Sequence, residues 1–305
     1  MRPKIEQYFK NKSLHYEIFV TQKPHHGREI AAELAKIGQP CRIYSIGGDG
    51  SLFDITTAIA GKKYIELGVI PCGAGNDFIK NFGERDEFLD IEAQVLGSSI
   101  PIDAIKADDF YSLNQCSCGF DAMVAHDQKN FKRLPLVSGA MSYKLALLRT
   151  IVKNPKSTFK ISIDGGEEFV GTYLFALAAN GAHYGGGFNS APKAKVADGL
   201  LDIILIDHVP RRKILNIAPK YKKGLHLGLD ICNYKLGKSM KISSTNGKLL
   251  VNMDGEIFEK EDVEFKIIEQ AINFILPNIK TVKLSEPLKN AAIKQKIAPA
   301  LSKES

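Results

Sequence analysis

Two glycine-rich stretches hold the residues of this chain that are best suited to chemistry. The first reads Gly47-Gly48-Asp49-Gly50-Ser51, and the second reads Pro71-Cys72-Gly73-Ala74-Gly75-Asn76-Asp77-Phe78. Glycine lets backbone N–H groups come close to a phosphate, and a helix that starts behind such a turn favours negative charge. With aspartate and asparagine beside the glycines, the pair predicts a phosphate and metal site.

The elements around the two stretches would place them at one edge of a sheet. The apolar run Arg42–Ile46 predicts a buried strand before the first stretch, and Leu67–Ile70 predicts another before the second. Behind the first stretch, apolar residues recur at the spacing of one helix face: Leu52, Ile55, Thr56 and Ile59. Because ligands bind outside the carboxyl ends of parallel strands, we expect both turns to face the same ligand.

Length and composition are those of an ordinary globular protein. The chain has 305 residues, of which 44% are hydrophobic and 25% charged, so one large or two medium domains are expected. We find neither a signal-peptide core at the start nor an apolar run long enough to span a membrane. Five cysteines, an odd number, favour reduced thiols and a cytoplasmic location. The net charge of +7 suits anionic partners.

The first part of the chain has the rhythm of alternating strands and helices. His15–Val20 predicts a strand that leads to Thr21, and a helix is expected from Arg28. The apolar face of that helix would consist of Ile30, Leu34 and Ile37. We assign residues 1–105 to an α/β nucleotide-binding domain.

The second part is expected to be rich in β-strands. A helix over Met141–Val152 would turn four apolar side chains inward: Leu145, Leu148, Ile151 and Val152. From Thr158 onward, short apolar runs and turn residues predict an antiparallel, sandwich-like domain over residues 106–276. The Lys-rich tail, residues 277–305, either docks back on the first domain or is loose.

The motifs, taken in order, resemble the diacylglycerol kinase catalytic domain family, which includes bacterial lipid kinases and belongs to a sphingosine kinase-like superfamily. Besides the two glycine stretches, the resemblance rests on four later segments. They are Gly119-Phe120-Asp121, Asn180-Gly181 with Gly185-Gly186-Gly187, Asp198-Gly199-Leu200-Leu201-Asp202, and Asp254-Gly255-Glu256. It extends from Thr21 to Pro277, most of the chain.

This resemblance implies a fold and an activity. The fold would be a Rossmann-like parallel-sheet domain followed by an antiparallel β-sandwich-like domain, with the active site in the cleft between them. The activity would be transfer of the γ-phosphoryl group of ATP to a lipid hydroxyl, most simply that of diacylglycerol, to give phosphatidic acid. Phosphoryl transfer of this kind needs a clamp on the phosphates, a cation such as Mg²⁺, and a base.

The resemblance also implies roles for individual residues. Catalytic groups would be Asp49, Asp254 and Glu256; which of the last two takes the proton stays open, with a slight preference for Glu256. Asp49 and Asp77 would hold Mg²⁺ through water, and Asp198 with the carbonyl groups of Leu201 and Ile203 would hold a structural metal. The nucleotide would be contacted by these residues: Thr21, Gly47, Gly48, Asp49, Gly50, Ser51, Gly73, Ala74, Asn76 and Asp77.

Several departures from the family pattern keep alternatives open. Ala74 replaces a threonine that contacts the nucleotide, Lys80 stands where arginine is frequent, and Ser51 replaces a threonine but keeps the hydroxyl. The family begins with a strand ending in Asn-Pro-x-x-Gly, and this chain is expected to lack it, which would leave an exposed sheet edge. The alternatives are an NAD kinase, which shares Gly-Gly-Asp-Gly, and a catalytically impaired nucleotide- or lipid-binding relative.

A membrane lipid as acceptor implies that the protein associates peripherally with the membrane. A basic stretch over residues 211–223, with Ile214, Leu215 and Ile217 between the charges, could lie on anionic lipid. Pro219 interrupts it, so one continuous helix is not required. A second lipid-packing group would be Leu134, Leu136 and Val137. Nucleic acid is not expected as a partner, and a homodimer is kept open.

Overall fold

The computed structural model describes residues 1–131, 139–245 and 247–278. The predicted tail after Asn278 and the trio Leu134, Leu136 and Val137 lie outside the described residues. In chain order the elements are α1 (Arg2–Lys12), α2 (His26–Ile37), β1 (Cys41–Gly47), α3 (Asp49–Ile59), β2 (Ile65–Pro71), a 3-10 helix (Phe78–Asn81), α4 (Arg85–Leu89), α5 (Ile91–Val95), β3 (Ser98–Ala107), β4 (Phe110–Ser112), β5 (Gln115–Gly119), α6 (Phe120–Phe131), α7 (Gly139–Lys153), β6 (Ser157–Ile163), β7 (Phe169–Ala179), β8 (Leu201–Asp207), α8 (Arg211–Lys222), β9 (Cys232–Gly237), β10 (Ser239–Ser244), β11 (Leu249–Met253), β12 (Glu256–Lys260) and β13 (Asp262–Leu276).

The chain divides into two compact units. Unit 1 consists of Met1–Ile102 together with the chain from Gln270 onward, and unit 2 consists of Asp103–Glu269. Strand β13 contributes to both, and Gln270, the first residue of its second part, has a φ of 52°. A left-handed backbone at a residue other than glycine is uncommon inside a strand, so the transition between the units coincides with a local break in strand geometry.

Unit 1 is built on parallel strands. β1 pairs with β2 in parallel register, and the last part of β13 pairs with β2, also in parallel, through Asn273 and Phe274. Phe274 anchors an aromatic core, since its ring lies 4.9 Å from that of Phe82 and 5.2 Å from that of Phe78. This core underlies the 3-10 helix that follows the second glycine stretch, and it therefore fixes where that stretch leaves the sheet.

Unit 2 is built on antiparallel strands. β5, β6 and β8 pair with β7, β11 pairs with β5 and β12, and β10 pairs with β6 and with the first part of β13. The core between this sheet and the helices α6, α7 and α8 contains Leu177, Ile204, Ala146 and Ile214. The predicted fold class, a parallel α/β part followed by an antiparallel β part, is confirmed.

The predicted strand over His15–Val20 is wrong. This segment has no regular secondary structure, and Phe19 and Val20 are 50% and 58% exposed. Within the described residues β1 pairs with β2 and with no other strand. Strand propensity stabilises a strand when a neighbour completes the hydrogen-bond ladder, and the segment has no such neighbour here.

Two predicted helix faces are wrong in part, at Ile37 of α2 and at Leu148 and Val152 of α7, whereas Ile151 is buried as predicted. The helices themselves form. Helix α2 buries Ala31 and Ala35, whereas Ile37 is 65% exposed. Helix α7 buries Ala146 and Ile151, whereas Leu148 and Val152, both predicted to face inward, are 59% and 58% exposed. Helix α2 packs against α3 and α7 packs against α6, and the number of apolar residues alone cannot identify the side that a neighbouring helix covers.

Helix α8 continues through Pro219, which lies near its C-terminal end. Its main-chain bonds resume beyond the proline, because the Lys223 N–H donates to the carbonyl of Pro219. No helix among the described residues is both long enough and apolar enough to cross a membrane.

Candidate functional site

The two glycine stretches are in direct contact within unit 1. The Gly47 carbonyl accepts the N–H groups of Cys72 and Gly73, at 2.8 and 3.0 Å. A Cβ built on Gly48 would lie 3.2 Å from the Gly73 Cα, and one built on Gly73 would overlap the Gly48 backbone. Because backbone meets backbone here, both positions require glycine. The predicted meeting of the two turns at one sheet edge is thus observed.

Asp49 is the residue that locks the turns together. It is the first residue of α3, and its two carboxylate oxygens each accept a backbone N–H, from Asn76 and Asp77, both at 2.9 Å. Asn76 lies in the left-handed region at φ 49°, and its side chain bonds both backbone groups of Gly73. Burial, and then the neighbouring Asp77 carboxylate, raise the pKa of Asp49, and the two N–H donors oppose that shift.

The carboxylates of Asp49 and Asp77 converge on Gly75. A Cβ built on Gly75 would lie 2.5 Å from Oδ2 of Asp49 and 3.6 Å from Oδ2 of Asp77. The other oxygen of Asp77 accepts from Lys80. Two converging carboxylates fit Mg²⁺, which is usually held by one or two carboxylates together with waters and substrate phosphates. Within the described residues no group of three or more His, Cys, Asp or Glu could hold a metal ion.

The remaining backbone of the turns is accessible. Gly50, Ser51 and Ala74 are exposed, and the Ser51 hydroxyl lies against Gly47, where a Cβ would come within 2.5 Å of it. Exposed N–H groups beside a helix N-terminus are the groups that bind phosphate in proteins.

A second group lies beside α3. Thr21 is exposed, and its methyl group would lie 3.8 Å from a Cβ on Gly27, which would also contact Asp54. Asp54 Oδ1 accepts from Arg28 at 3.0 Å and lies 2.9 Å from Nδ1 of His25. Thr21 thus lies near α3, the helix that contains Asp49 and Ser51. Arg28 and Asp54 were not predicted as site residues, because no local motif joins residues so far apart in the chain.

In unit 2, Asp254 and Gly255 form the two-residue turn between β11 and β12. Their φ angles of 47° and 93° suit an Asp-Gly hairpin turn. Both carboxylate oxygens of Asp254 accept backbone N–H groups, from Leu113 and Gln115 at 2.8 Å and from Asn114 at 3.2 Å. Burial raises the pKa of Asp254 to about 6, with the backbone donors opposing it. Asp254 therefore ties the hairpin to the turn between β4 and β5.

Glu256, at the start of β12, points elsewhere. Its carboxylate lies 2.6 Å from Nζ of Lys129 on α6, and the two side chains are 25% and 42% exposed. Glu256 is thus held by an ion pair, whereas Asp254 is held by backbone N–H groups. Lys129 was not identified from the sequence, since a single lysine on a helix carries no signal of its partner.

A buried polar layer lies beneath the hairpin turn. The Asn252 side chain accepts the Gly255 N–H at 2.9 Å and donates to Asp121 at 3.2 Å and to the Tyr184 hydroxyl. Asp121 also accepts from Ser117, and burial raises its pKa. The Gly-Phe-Asp segment thus supports the hairpin from below, a role that the motif by itself did not indicate.

The Asp198 segment forms a turn at the start of β8. The Asp198 carboxylate accepts the Leu200 N–H at 3.2 Å, and burial raises its pKa. The Gly199 N–H donates to Asp103 at 2.8 Å. Leu201 and Ile203 are buried in β8, which pairs with strands on both sides. Acidic groups at this turn include Asp198, Asp103 and Glu269, whose carboxylate carbon would lie 3.0 Å from a Cβ on Gly199. The structural metal at this segment stays a prediction.

A parallel α/β unit with paired glycine turns, and an antiparallel unit with an acidic hairpin turn, define a two-unit α/β protein. Residues 1–107 match the family profile described as "Diacylglycerol kinase catalytic domain", and residues 114–276 match "YegS C-terminal NAD kinase beta sandwich-like domain". The chain belongs to the family of diacylglycerol kinases and YegS-like lipid kinases.

Individual relatives agree with this assignment. The chain is 29% identical to a diacylglycerol kinase of Mycobacterium tuberculosis, over 83% of this chain and 82% of the relative. It is 30% identical to a probable YegS-like lipid kinase of Alcanivorax borkumensis, over 76% and 77%.

Two solved structures share the fold. A diacylglycerol kinase from Bacillus anthracis superposes with a TM-score of 0.61 at 19% identity, over 85% of this chain and 84% of that one. An NAD kinase from Archaeoglobus fulgidus in complex with ATP gives 0.50 at 14% identity, over 96% and 93%.

Proposed function

We propose that this chain transfers the γ-phosphoryl group of ATP to a lipid hydroxyl, with diacylglycerol as the acceptor and phosphatidic acid as the product. The observation that carries the proposal is the pair of glycine turns locked by Asp49, in a chain whose relatives are named diacylglycerol and lipid kinases. An exposed phosphate-binding backbone beside two converging carboxylates is what transfer from a nucleotide requires.

In this proposal unit 1 binds the nucleotide. The N–H groups around Gly48, Gly50 and Ala74 bind phosphate oxygens, and Thr21 and the Arg28–Asp54 pair lie toward the rest of the nucleotide. Asp49 and Asp77 would hold Mg²⁺ through water, and the ion would neutralise the charge that develops on the phosphates.

Unit 2 supplies the proton acceptor. We assign this role to Glu256, since both oxygens of Asp254 are already engaged by backbone N–H groups. Asp254 is then the group that holds the hairpin turn in place. Lys129 keeps the Glu256 side chain in one position, which limits the loss of side-chain entropy when the acceptor hydroxyl binds.

The test is a phosphoryl-transfer assay with radiolabelled ATP and Mg²⁺ in mixed micelles that contain one lipid at a time. The panel comprises diacylglycerol, a sphingoid base and a monoacylglycerol, with NAD as a separate water-soluble acceptor. We expect label in a chloroform-soluble product, most of all with diacylglycerol. Label that moves to NAD and to none of the lipids contradicts the proposal and favours the NAD kinase alternative, which the fold also permits.

A further inference from the structure

Helices α7 and α8 leave apolar side chains exposed on the outside of unit 2. Leu148 and Val152, one helical turn apart on α7, are 59% and 58% exposed, and Leu215 on α8 is 59% exposed. Leu225, 63% exposed, follows α8 and its N–H donates to the Lys220 carbonyl. Both helices pack on the same core, through Ala146 and Ile151 and through Ile214, and they contact each other. Their outward sides therefore adjoin, and we call this surface the α7–α8 face.

The same face is strongly basic. Neither helix contains an aspartate or a glutamate, although the chain has 34 acidic residues. The basic residues of the two helices are Lys144, Arg149, Lys153, Arg211, Arg212, Lys213, Lys220 and Lys222. Arg149 and Lys153 lie 3.5 and 3.7 Å from Asp127 of α6. In the part of the chain that the structure describes, the basic side chains of α8 are not paired with a carboxylate.

The combination of exposed leucines and unpaired cations selects one kind of partner. A nucleic acid would use the cations but would leave the leucines in water. A second copy of the chain would cover the leucines but would bring the two sets of cations together, and like charges oppose that contact. An anionic bilayer satisfies both, because apolar side chains enter the interface while basic residues lie at the phosphate level.

We propose that the α7–α8 face is the surface by which this protein docks on an anionic lipid bilayer. The proposal rests on the proposed function, since a kinase that acts on a membrane lipid must reach the bilayer. The basic residues are attracted to the anionic surface, and the exposed leucines add apolar burial. The helices would then hold the protein at the membrane surface.

The test is co-sedimentation of the full chain with phosphatidylcholine vesicles, with and without phosphatidylglycerol. We expect binding to the anionic vesicles, weaker binding at high salt, and little binding to the neutral ones. The double variant Leu148→Glu with Leu215→Glu should bind at least about tenfold more weakly. The matched control is Leu96→Glu, because Leu96 is 58% exposed in unit 1 and should leave binding unchanged.

A second variant tests the charges separately. Arg212→Gln with Lys213→Gln should weaken binding to anionic vesicles and reduce its dependence on salt, with neutral vesicles unaffected. All substituted positions are exposed, so the melting temperature of each variant should equal that of the parent.

Three results would overturn the docking proposal. The first is a parent protein that does not bind anionic vesicles, and the second is equal binding by the parent and the leucine double variant. The third is a parent dimer in solution that Leu148→Glu converts to a monomer, because a second copy would then cover the face.

Phosphorylation of a short-chain, water-soluble diacylglycerol separates the two proposals, since docking variants should retain it. Vesicle binding without any lipid phosphorylation contradicts the proposed function and leaves docking intact.

Discussion

At the scale of single residues, Asp49 combines a structural and a chemical role. Its two oxygens hold the backbone of Asn76 and Asp77, and its charge faces the Asp77 carboxylate. Asp49→Asn keeps the size but removes the charge and one acceptor. We expect kcat to fall by about a hundredfold or more, since the cation loses a carboxylate. The melting temperature should fall only modestly, because the backbone N–H that faces the new amide NH₂ group loses its acceptor, at about 1–3 kcal/mol, and relief of carboxylate repulsion offsets part of this cost.

The measurement for Asp49 combines activity with thermal unfolding in the presence of Mg²⁺ and a non-hydrolysable ATP analogue. The ligand should raise the melting temperature of the parent and of the control Asp86→Asn, which changes an exposed carboxylate in unit 1. It should raise that of Asp49→Asn much less. If Asp49→Asn lowers the melting temperature so far that unfolding accounts for the loss of kcat, Asp49 is structural.

Asp254 should make stability depend on pH. Its pKa is about 6 in the folded chain, against an ordinary value of 3.8. Between these values the folded state binds more protons than the unfolded state, so the free energy of unfolding falls as the pH rises from about 4 to about 6. The difference between the two pKa values corresponds to about 3 kcal/mol in the free energy of unfolding. Urea unfolding across this range should show the fall in the parent and a flatter profile in Asp254→Asn. Parallel profiles would contradict the prediction.

Glu256 tests the assignment of the proton acceptor. Glu256→Gln keeps size and hydrogen bonding but cannot take a proton, so we expect kcat to fall about a hundredfold with the Kd for ATP nearly unchanged. The matched control is Glu259→Gln on the same strand, an exposed residue paired with Lys248. If Asp254→Asn instead lowers kcat while Glu256→Gln weakens ATP binding, the two roles are reversed.

At the scale of elements, the contact between the glycine turns decides whether the phosphate site exists. A methyl group on Gly73 meets the backbone of Gly48, which cannot move without separating β1 from β2. Gly73→Ala should therefore lower the free energy of unfolding by about 1–3 kcal/mol and abolish binding of the ATP analogue. Gly228→Ala is the control, since nothing lies within 4 Å of a Cβ there. The measurement is the Kd for the ATP analogue by calorimetry. A Kd in Gly73→Ala equal to that of the parent would contradict the role of the Gly48–Gly73 contact.

Some features of the helices and strands could be predicted from the sequence, and others could not. The strand–turn–helix around Asp49 was predictable, because glycine at a strand end and a helical repeat behind it have few other solutions. The inward face of α7 was not. Leu148 and Val152 have the spacing of a core face, but the buried side of α7 is defined by Ala146 and Ile151. Periodicity identifies a helix, and its neighbours determine which face is buried.

Long-range partners were the other part that the sequence could not supply. Lys129 pairs with Glu256, and Arg28 with Asp54, only because the fold brings distant segments together. The predicted strand over His15–Val20 likewise depends on a partner from a distant segment. Its composition suits a strand, but the outcome depended on a hydrogen-bond partner that no local pattern can reveal.

At the scale of the whole molecule, the two proposed ligands engage different units. The nucleotide would contact the turns at residues 47–51 and 73–77 in unit 1, and the bilayer would contact α7 and α8 in unit 2. Amide hydrogen exchange can follow both in one experiment, because it reports the protection of each backbone segment separately.

We expect the Mg²⁺-bound ATP analogue to slow exchange at both glycine turns and to leave α7 and α8 unchanged. Anionic vesicles should slow exchange in α7 and α8 and leave the turns unchanged, because a bilayer excludes water from the helices that it covers. Neutral vesicles are the control and should do neither. Protection by the nucleotide that appears at residues 180–190 instead of the glycine turns would contradict the assignment of unit 1. If vesicles instead protect α2 and leave α7 and α8 unprotected, the membrane contact lies on the side of α2 that exposes Ile37.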